Sequence, residues 1–190
     1  GGSVECGAAV ARILHASGRA EGVALADGRE VRAPLVVAGV APGALPRLTG
    51  GTTPRFDAGM RRFAHAPGTM MIHLALSDLP PWRAEALRGF AYVHLAPSLD
   101  MMAAAYQQAQ AGLLPAAPVL VVGQPTVFDP SRAPEGRHTL WVQVRMAPAA
   151  IREDAGGVIA ASDWAQAAEP FAERALGLIE RHAPGFRATI

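Results

Sequence analysis

Four side chains that can stack or form hydrogen bonds fall on alternating positions of two strand-like segments. Trp141, Gln143 and Arg145 alternate with apolar residues, and His73 has the equivalent place in an earlier segment. Residues two apart in a strand share one face. An indole, an amide, a guanidinium and an imidazole can together orient a small molecule, so we predict that these four residues line a ligand pocket. A surface or structural role is the alternative for each of them.

The other residue types with catalytic potential lack the spacing that their chemistry needs. The six histidines show neither H-x-H nor H-E-x-x-H spacing, and Cys6 is the single cysteine, so we predict no metal site. Ser98 has no G-x-S-x-G context and is interpreted as a helix cap instead of a nucleophile. Cys6, in the first strand, is expected to be a buried and unreactive thiol.

Strand patterns dominate the elements that must position these side chains, and two helical patterns accompany them. One helix is capped by Ser98 and ends at Gly112, and the other begins near Ser162 or at Pro170 and ends before Pro184. Residues 49–57 are interpreted as the crossing between two regions. The fold class is therefore α/β (α+β), with a β-meander, a mostly antiparallel sheet and covering helices. The predicted strands are 10–14, 22–25, 30–32, 35–38, 69–77, 90–95, 119–124 and 139–146.

Two apolar patterns predict what each element buries. The uninterrupted run of residues 35–38 is typical of a strand that is covered on both faces. The apolar side of the first helix carries Met101, Met102 and Tyr106, and we expect these side chains to pack in the core. The alternative is that they form an adaptable surface for a hydrophobic ligand. In the second helix, residues from Phe171 to His182 repeat at helical spacing and predict a buried stripe.

Composition narrows the class of protein and its partners. With 51% hydrophobic residues, 17% charged residues and a net charge of +1, the chain can bury a core and offers no basic patch for nucleic acid. No apolar run is long enough to span a bilayer, and a single cysteine favours a reducing, cytoplasmic compartment. The basic residues are all arginine and alanine is abundant, which indicates a GC-rich bacterial genome. Oligomeric state and peripheral membrane contact are left open.

Two segments resemble a known family of flavoproteins. The first runs from Gly1-Gly2-Ser3-Val4 to Val10 and through residues 18–23, 25–28 and 35–38, and it resembles the part of glutathione-reductase-type FAD domains where a strand valine meets the adenine. Val10 matches that valine. The second comprises residues 94–100, 111–115, 123–126, 129–138 and 140–141. It is similar to the substrate domain of bacterial phytoene desaturase-related oxidoreductases, in the amine oxidase-like superfamily.

The resemblance implies an FAD-dependent enzyme that exchanges hydride between its flavin and a small hydrophobic substrate. Residues 1–50 would be part of the FAD-binding domain and residues 51–190 the substrate-binding domain. The chain has no G-x-G turn for the flavin pyrophosphate and begins with Gly-Gly, so we expect an internal fragment that is inactive alone. No catalytic residue is assigned. The alternatives are a noncatalytic ligand-binding or interaction domain and an amine oxidase-like flavoenzyme.

Overall fold

The computed structural model describes residues 2–190, which divide into two compact units after His65. The prediction placed the boundary near residue 50, but residues 51–65 belong to the first unit. The reason is local packing, because α1 (Leu45–Thr49) and α2 (Pro54–Arg61) contact each other. Neither helix was predicted. Thr53 caps α2, since Phe56 N donates to its Oγ1 at 3.4 Å, and Pro54 takes the first helical position.

The first unit is built on a three-stranded antiparallel meander. Its strands are β1 (Val10–Ala16), β2 (Arg19–Leu25) and β3 (Glu30–Arg32), in that order, as the sequence predicts. Gly22 permits the close approach of β3, since a Cβ at this position would lie 2.1 Å from the carbonyl oxygen of Val31. The meander therefore depends on a glycine that the strand pattern alone does not explain.

The predicted strand at residues 35–38 is wrong for this chain. These residues form no strand, and the side chains of Leu35 and Val37 are 74% and 84% exposed. A strand needs a neighbour that shares its backbone hydrogen bonds, and residues 2–190 supply none here. The expected burial of Cys6 is also wrong, because this residue is exposed in a turn with Gly7, while its low reactivity stays a prediction.

The second unit is a mixed α/β arrangement around a four-stranded sheet. Its elements are β4 (Gly68–Leu76), β5 (Tyr92–Leu95), α3 (Leu99–Gln110), β6 (Leu113–Leu114), β7 (Val119–Gly123), β8 (His138–Ala147), β9 (Glu153–Asp154) and α4 (Trp164–His182). The sheet has the order β4-β8-β7-β5 with every pairing antiparallel, which confirms the predicted sheet type. Two short strands that were not predicted, β6 and β9, pair in parallel.

One face of this sheet is buried under α4. Asp163 caps the helix by accepting a hydrogen bond from Gln166 N at 2.9 Å, and the helix continues through Pro170. The apolar stripe of α4 runs from Ala167 to Ile179 in steps of four residues, and its four side chains are fully buried. His182, which was predicted to belong to this stripe, is exposed. The stripe packs on the even-numbered side chains of β8. The buried residues of these two elements are Leu140, Val142, Val144, Ala167, Phe171, Ala175 and Ile179.

The other long helix is capped as predicted but exposes its larger side chains. Met101 N donates to Ser98 Oγ at 3.2 Å, and α3 ends two residues before Gly112. Met101, Met102 and Tyr106 are 38%, 37% and 43% exposed, so core packing is wrong for them. Only the small residues Ala105 and Ala109 are buried, because a close approach to the sheet suits alanine. Within residues 2–190, no helix combines the length and hydropathy that crossing a membrane requires.

Candidate functional site

The four predicted pocket residues lie together on the face of the sheet that points away from α4. In the register of the sheet, His73 of β4 lies opposite Trp141 of β8, while Gln143 and Arg145 follow on the same side of β8. Their role in ligand binding stays a prediction. We call this surface the open face; its residues are Thr69, Met71, His73, Tyr92, His94, Val119, Val121, Trp141, Gln143 and Arg145. Val119, beside Arg145, is the buried residue at this end of the face.

The prediction missed the contribution of β5. Tyr92 lies opposite Gly123 of β7, and His94 lies opposite Val121, so both side chains join the open face. The signal was present in the sequence, because Tyr92 and His94 alternate with Val93 and Leu95 as the two faces of a strand do, and Val93 is buried in the structure. The sequence pattern does not specify which strands pair, so it could not predict that β5 lies next to β7.

Trp141 and Tyr92 form an aromatic pair over a glycine. The two ring centroids are 5.4 Å apart and the ring planes are inclined by 54°. Gly123 lies between them in the sheet, and a Cβ on it would fall 2.1 Å from Cε2 of Trp141. The indole therefore lies directly against the backbone of β7, which is possible only while this residue is glycine.

Arg145 gives the open face a positive charge without a negative partner on the same surface. Its Nη1 donates to Gln143 Oε1 at 3.1 Å, and the residue is exposed. No aspartate or glutamate belongs to the open face among the described residues. A guanidinium in this state retains free donors arranged for a planar oxyanion.

A buried glutamine holds the backbone that leads into Tyr92. Gln124 is fully buried, and its Oε1 accepts a hydrogen bond from Trp82 Nε1 at 2.8 Å. Its Nε2 donates to the carbonyl oxygens of Leu87 at 2.9 Å and Phe90 at 2.7 Å. Every polar atom of this side chain is thus paired, which makes the end of β7 a rigid support for the aromatic pair.

A second polar cluster, at Asp154 and Arg174, has a structural character. Arg174 donates to both carboxylate oxygens of Asp154, at 2.7 and 2.6 Å, and the side chain of Asp154 is 2% exposed. Burial raises the pKa of Asp154, but hydrogen bonds from Arg174 and from the backbone amides of Ile159, Val158 and Gly156 outweigh it and hold the pKa well below its ordinary value. Sequence reasoning missed this pair because the partners are 20 residues apart.

The residue predicted to flank an adenine lies at the start of a strand. Val10 begins β1 and is 40% exposed, and its role in cofactor binding stays a prediction. The helix that follows a Gly-Gly turn, α2, cannot receive a phosphate there, because Thr52 N and Oγ1 donate to the carboxylate of Asp57. This turn is therefore not free to bind a pyrophosphate, and the sequence offers no G-x-G turn for that purpose.

Two further features of the described residues bear on ligands. A cavity of about 410 Å³ in the first unit is lined by residues that include Ile13, His15 and Thr52, and Val10 is not among them. No group of three or more histidine, cysteine, aspartate or glutamate side chains is placed to hold a metal ion in residues 2–190.

Comparison with known proteins finds similarity to a curated protein and to a solved structure. No protein-family model matches the chain. The pyridine nucleotide-disulfide oxidoreductase domain-containing protein 2 of Mus musculus is 27% identical over 208 residues, covering 100% of this chain and 34% of that protein. The crystal structure of an oxidoreductase from Methanosarcina mazei is 21% identical with a TM-score of 0.49, covering 93% of this chain and 34% of the other. The chain thus spans about a third of the length of the curated relative that it matches.

Proposed function

We propose that this chain is part of an FAD-dependent oxidoreductase of the dehydrogenase or desaturase type. The observation that carries the proposal is the alignment of the whole chain with a mouse protein that is named for an oxidoreductase domain. The longer protein would exchange hydride between its flavin and a small hydrophobic substrate. The flavin supplies the redox chemistry when bound, whereas the protein orients the substrate and excludes water.

The two units have different parts in this proposal. The first unit contributes Val10 beside the adenine and the apolar run of residues 35–38 to a nucleotide-binding sheet whose remaining strands lie outside this chain. The exposure of Leu35 and Val37 supports that assignment, because neighbouring exposed apolar side chains form a surface that another strand or helix can cover. The pyrophosphate-binding turn would also come from residues outside this chain.

The second unit contributes the substrate-binding wall. Its open face combines an aromatic pair, an amide and a guanidinium on a sheet that α4 supports from the other side. Hydride transfer to a flavin requires close placement of the substrate more than a charged catalyst, which agrees with the lack of a carboxylate among the described residues of this face. His73, Trp141, Gln143 and Arg145 are therefore proposed to position the substrate, with no catalytic residue among them.

The absorbance spectrum of the longer gene product tests the proposal. We expect a yellow protein with flavin absorption bands that bleach when a substrate reduces it without oxygen. The 190-residue chain is the matched control and should purify colourless, because it lacks a pyrophosphate-binding turn. A colourless longer protein that gains no bands on incubation with FAD would contradict the proposal and favour a noncatalytic ligand-binding domain.

An amine oxidase-like activity is less well supported by the open face. An amine substrate in its cationic form would meet Arg145, and no carboxylate on the described face would offset that charge. Peroxide release with amines under air measures this activity directly.

A further inference from the structure

The open face has an aromatic end and a cationic end on a single strand. Trp141 and Arg145 lie four residues apart on the same side of β8, which places their Cα atoms about 13 Å apart. Because Arg145 donates to Gln143 Oε1, its guanidinium lies closer to Trp141 than the backbone spacing alone would place it. A ligand that contacts both ends would be on the order of 10 Å long.

The aromatic end favours a flat group. The indole of Trp141 lies on the backbone at Gly123 and has Tyr92 beside it, so its position is fixed from below and from one side. Trp141 is half-buried, and its remaining surface faces outward. Such a surface stacks best on a planar, unsaturated or aromatic group.

The cationic end favours an anion, and the row between the two ends combines the polar residues Gln143 and His94 with two apolar residues. Arg145 has no acidic neighbour on the described face, and its planar fork of donors matches a carboxylate. Met71, which is 43% exposed, and Val121 flank Gln143 in the next row of the sheet. The face thus presents complementary chemistry to a molecule with a flat apolar body and one carboxylate.

We propose that the open face binds an unsaturated or aromatic carboxylic acid, with its planar group on Trp141 and its carboxylate on Arg145. This inference rests on the proposed function only where the ligand is regarded as the substrate; the binding itself does not depend on the flavin. A wholly apolar ligand would gain nothing from Arg145, and a cationic ligand would be repelled by it.

Titration of the chain with trans-cinnamate, followed by the indole N–H signals in NMR spectra, tests the proposal. The protein has three tryptophans, and Trp141→Phe identifies the signal of Trp141. We expect cinnamate to shift that signal. The other two signals serve as internal controls, since Trp82 Nε1 donates to Gln124 and Trp164 Nε1 donates to the carbonyl oxygen of Pro148.

Two test variants, one control variant and one neutral ligand distinguish the contribution of the aromatic end from that of the cationic end. Arg145→Gln should raise the apparent Kd for cinnamate about ten-fold and leave the Kd for uncharged cinnamamide unchanged, a loss of about 1.4 kcal/mol for the carboxylate contact. Arg181→Gln, at an exposed arginine in the last turn of α4, is the matched control and should have no effect. Gly123→Ala should weaken both ligands, because its Cβ would displace the indole.

Three outcomes would overturn the inference. These are an unmoved Trp141 signal, equal affinity for cinnamate and cinnamamide, or an equal loss in Arg145→Gln and Arg181→Gln. The flavin spectrum of the longer protein is a separate readout. If cinnamate binds as expected and the longer protein is colourless, the proposed function fails and the binding site stands. If the longer protein is yellow and cinnamate does not bind, only this inference fails.

Discussion

The two units differ in how completely they bury their apolar side chains. The second unit has a continuous core in which α4 covers one face of the sheet, and Phe171 and Ile179 are fully buried. The first unit buries only a few apolar residues, among them Leu14, Leu25 and Leu48, and leaves Leu35 and Val37 exposed. The second unit therefore has the larger buried apolar core, whereas the first leaves large apolar side chains in solvent.

Apolar residues predict burial more completely in the second unit than in the first. Alternation in β8 specifies which face is buried, and the structure agrees with it. A continuous apolar run specifies only that both faces should be covered, without saying what covers them.

Truncation of one core side chain should separate the units most clearly. We expect Phe171→Ala to lower the free energy of unfolding of the second unit by about 4 kcal/mol, because it leaves a cavity in a fully buried site. Leu35→Ala is the matched change in the first unit and should alter stability by less than about 0.5 kcal/mol. Urea denaturation followed by tryptophan fluorescence and by far-UV circular dichroism measures both. Similar losses for the two variants would contradict the contrast.

Removal of the buried ion-pair partner should have the next largest effect. Arg174→Ala leaves the carboxylate of Asp154 buried without its cation, and we expect a loss of about 3 kcal/mol in the free energy of unfolding. Arg187→Ala removes the exposed pair with Glu173 and serves as the control, with an expected loss under about 1 kcal/mol. Equal losses in the same denaturation experiment would show that burial does not distinguish the two pairs.

Replacement of the buried Gln124 should destabilise the backbone that supports Tyr92 and Trp141. Gln124→Ala leaves Trp82 Nε1 and two carbonyl oxygens without partners, and we expect a loss of about 2 kcal/mol. The indole N–H signal of Trp82 should also lose its hydrogen-bonded shift. Gln110→Ala, which removes only an exposed bond to Tyr106, is the control with an effect under about 0.5 kcal/mol. An unchanged Trp82 signal would count against the network.

Acid should remove part of the stability of the second unit through Asp154. Its pKa is lower in the folded chain than in the unfolded chain, so the unfolded state binds protons first as the pH falls. The contribution is complete above about pH 5 and is lost as the pH falls toward the folded pKa, on the order of 1 kcal/mol by about pH 3. Urea midpoints at the two pH values measure it. The variant Asp154→Asn should show a smaller acid dependence, and an identical one would contradict this assignment.

Much of the second unit could be predicted from the sequence because local rules govern it. Period-two alternation located β4 and β8, and the cap at Ser98 located α3. Strand order could not be predicted, since the position of β5 beside β7 depends on contacts far apart in sequence. The candidate site was therefore found only in part, with Tyr92 and Gly123 missing from it.

The errors have physical causes of two kinds. Met101 and Tyr106 lie on the apolar side of α3, yet the helix approaches the unit through its small residues and leaves the large ones in solvent. Helical periodicity shows which side is apolar but not how much of it is covered. Residues 35–38 fail as a strand for a different reason, because a strand exists only where neighbouring backbone groups complete its hydrogen bonds.

Amide hydrogen exchange at residues 35–38 tests most directly whether the first unit requires strands from outside this chain. In the 190-residue chain, the amides of Leu35, Val36, Val37 and Ala38 should exchange at nearly the rate of an unfolded peptide, since these residues belong to no strand. In the longer gene product the same amides should be strongly protected, while the protection of β8 stays unchanged. Protection of residues 35–38 in the chain alone, or rapid exchange in both proteins, would contradict the account.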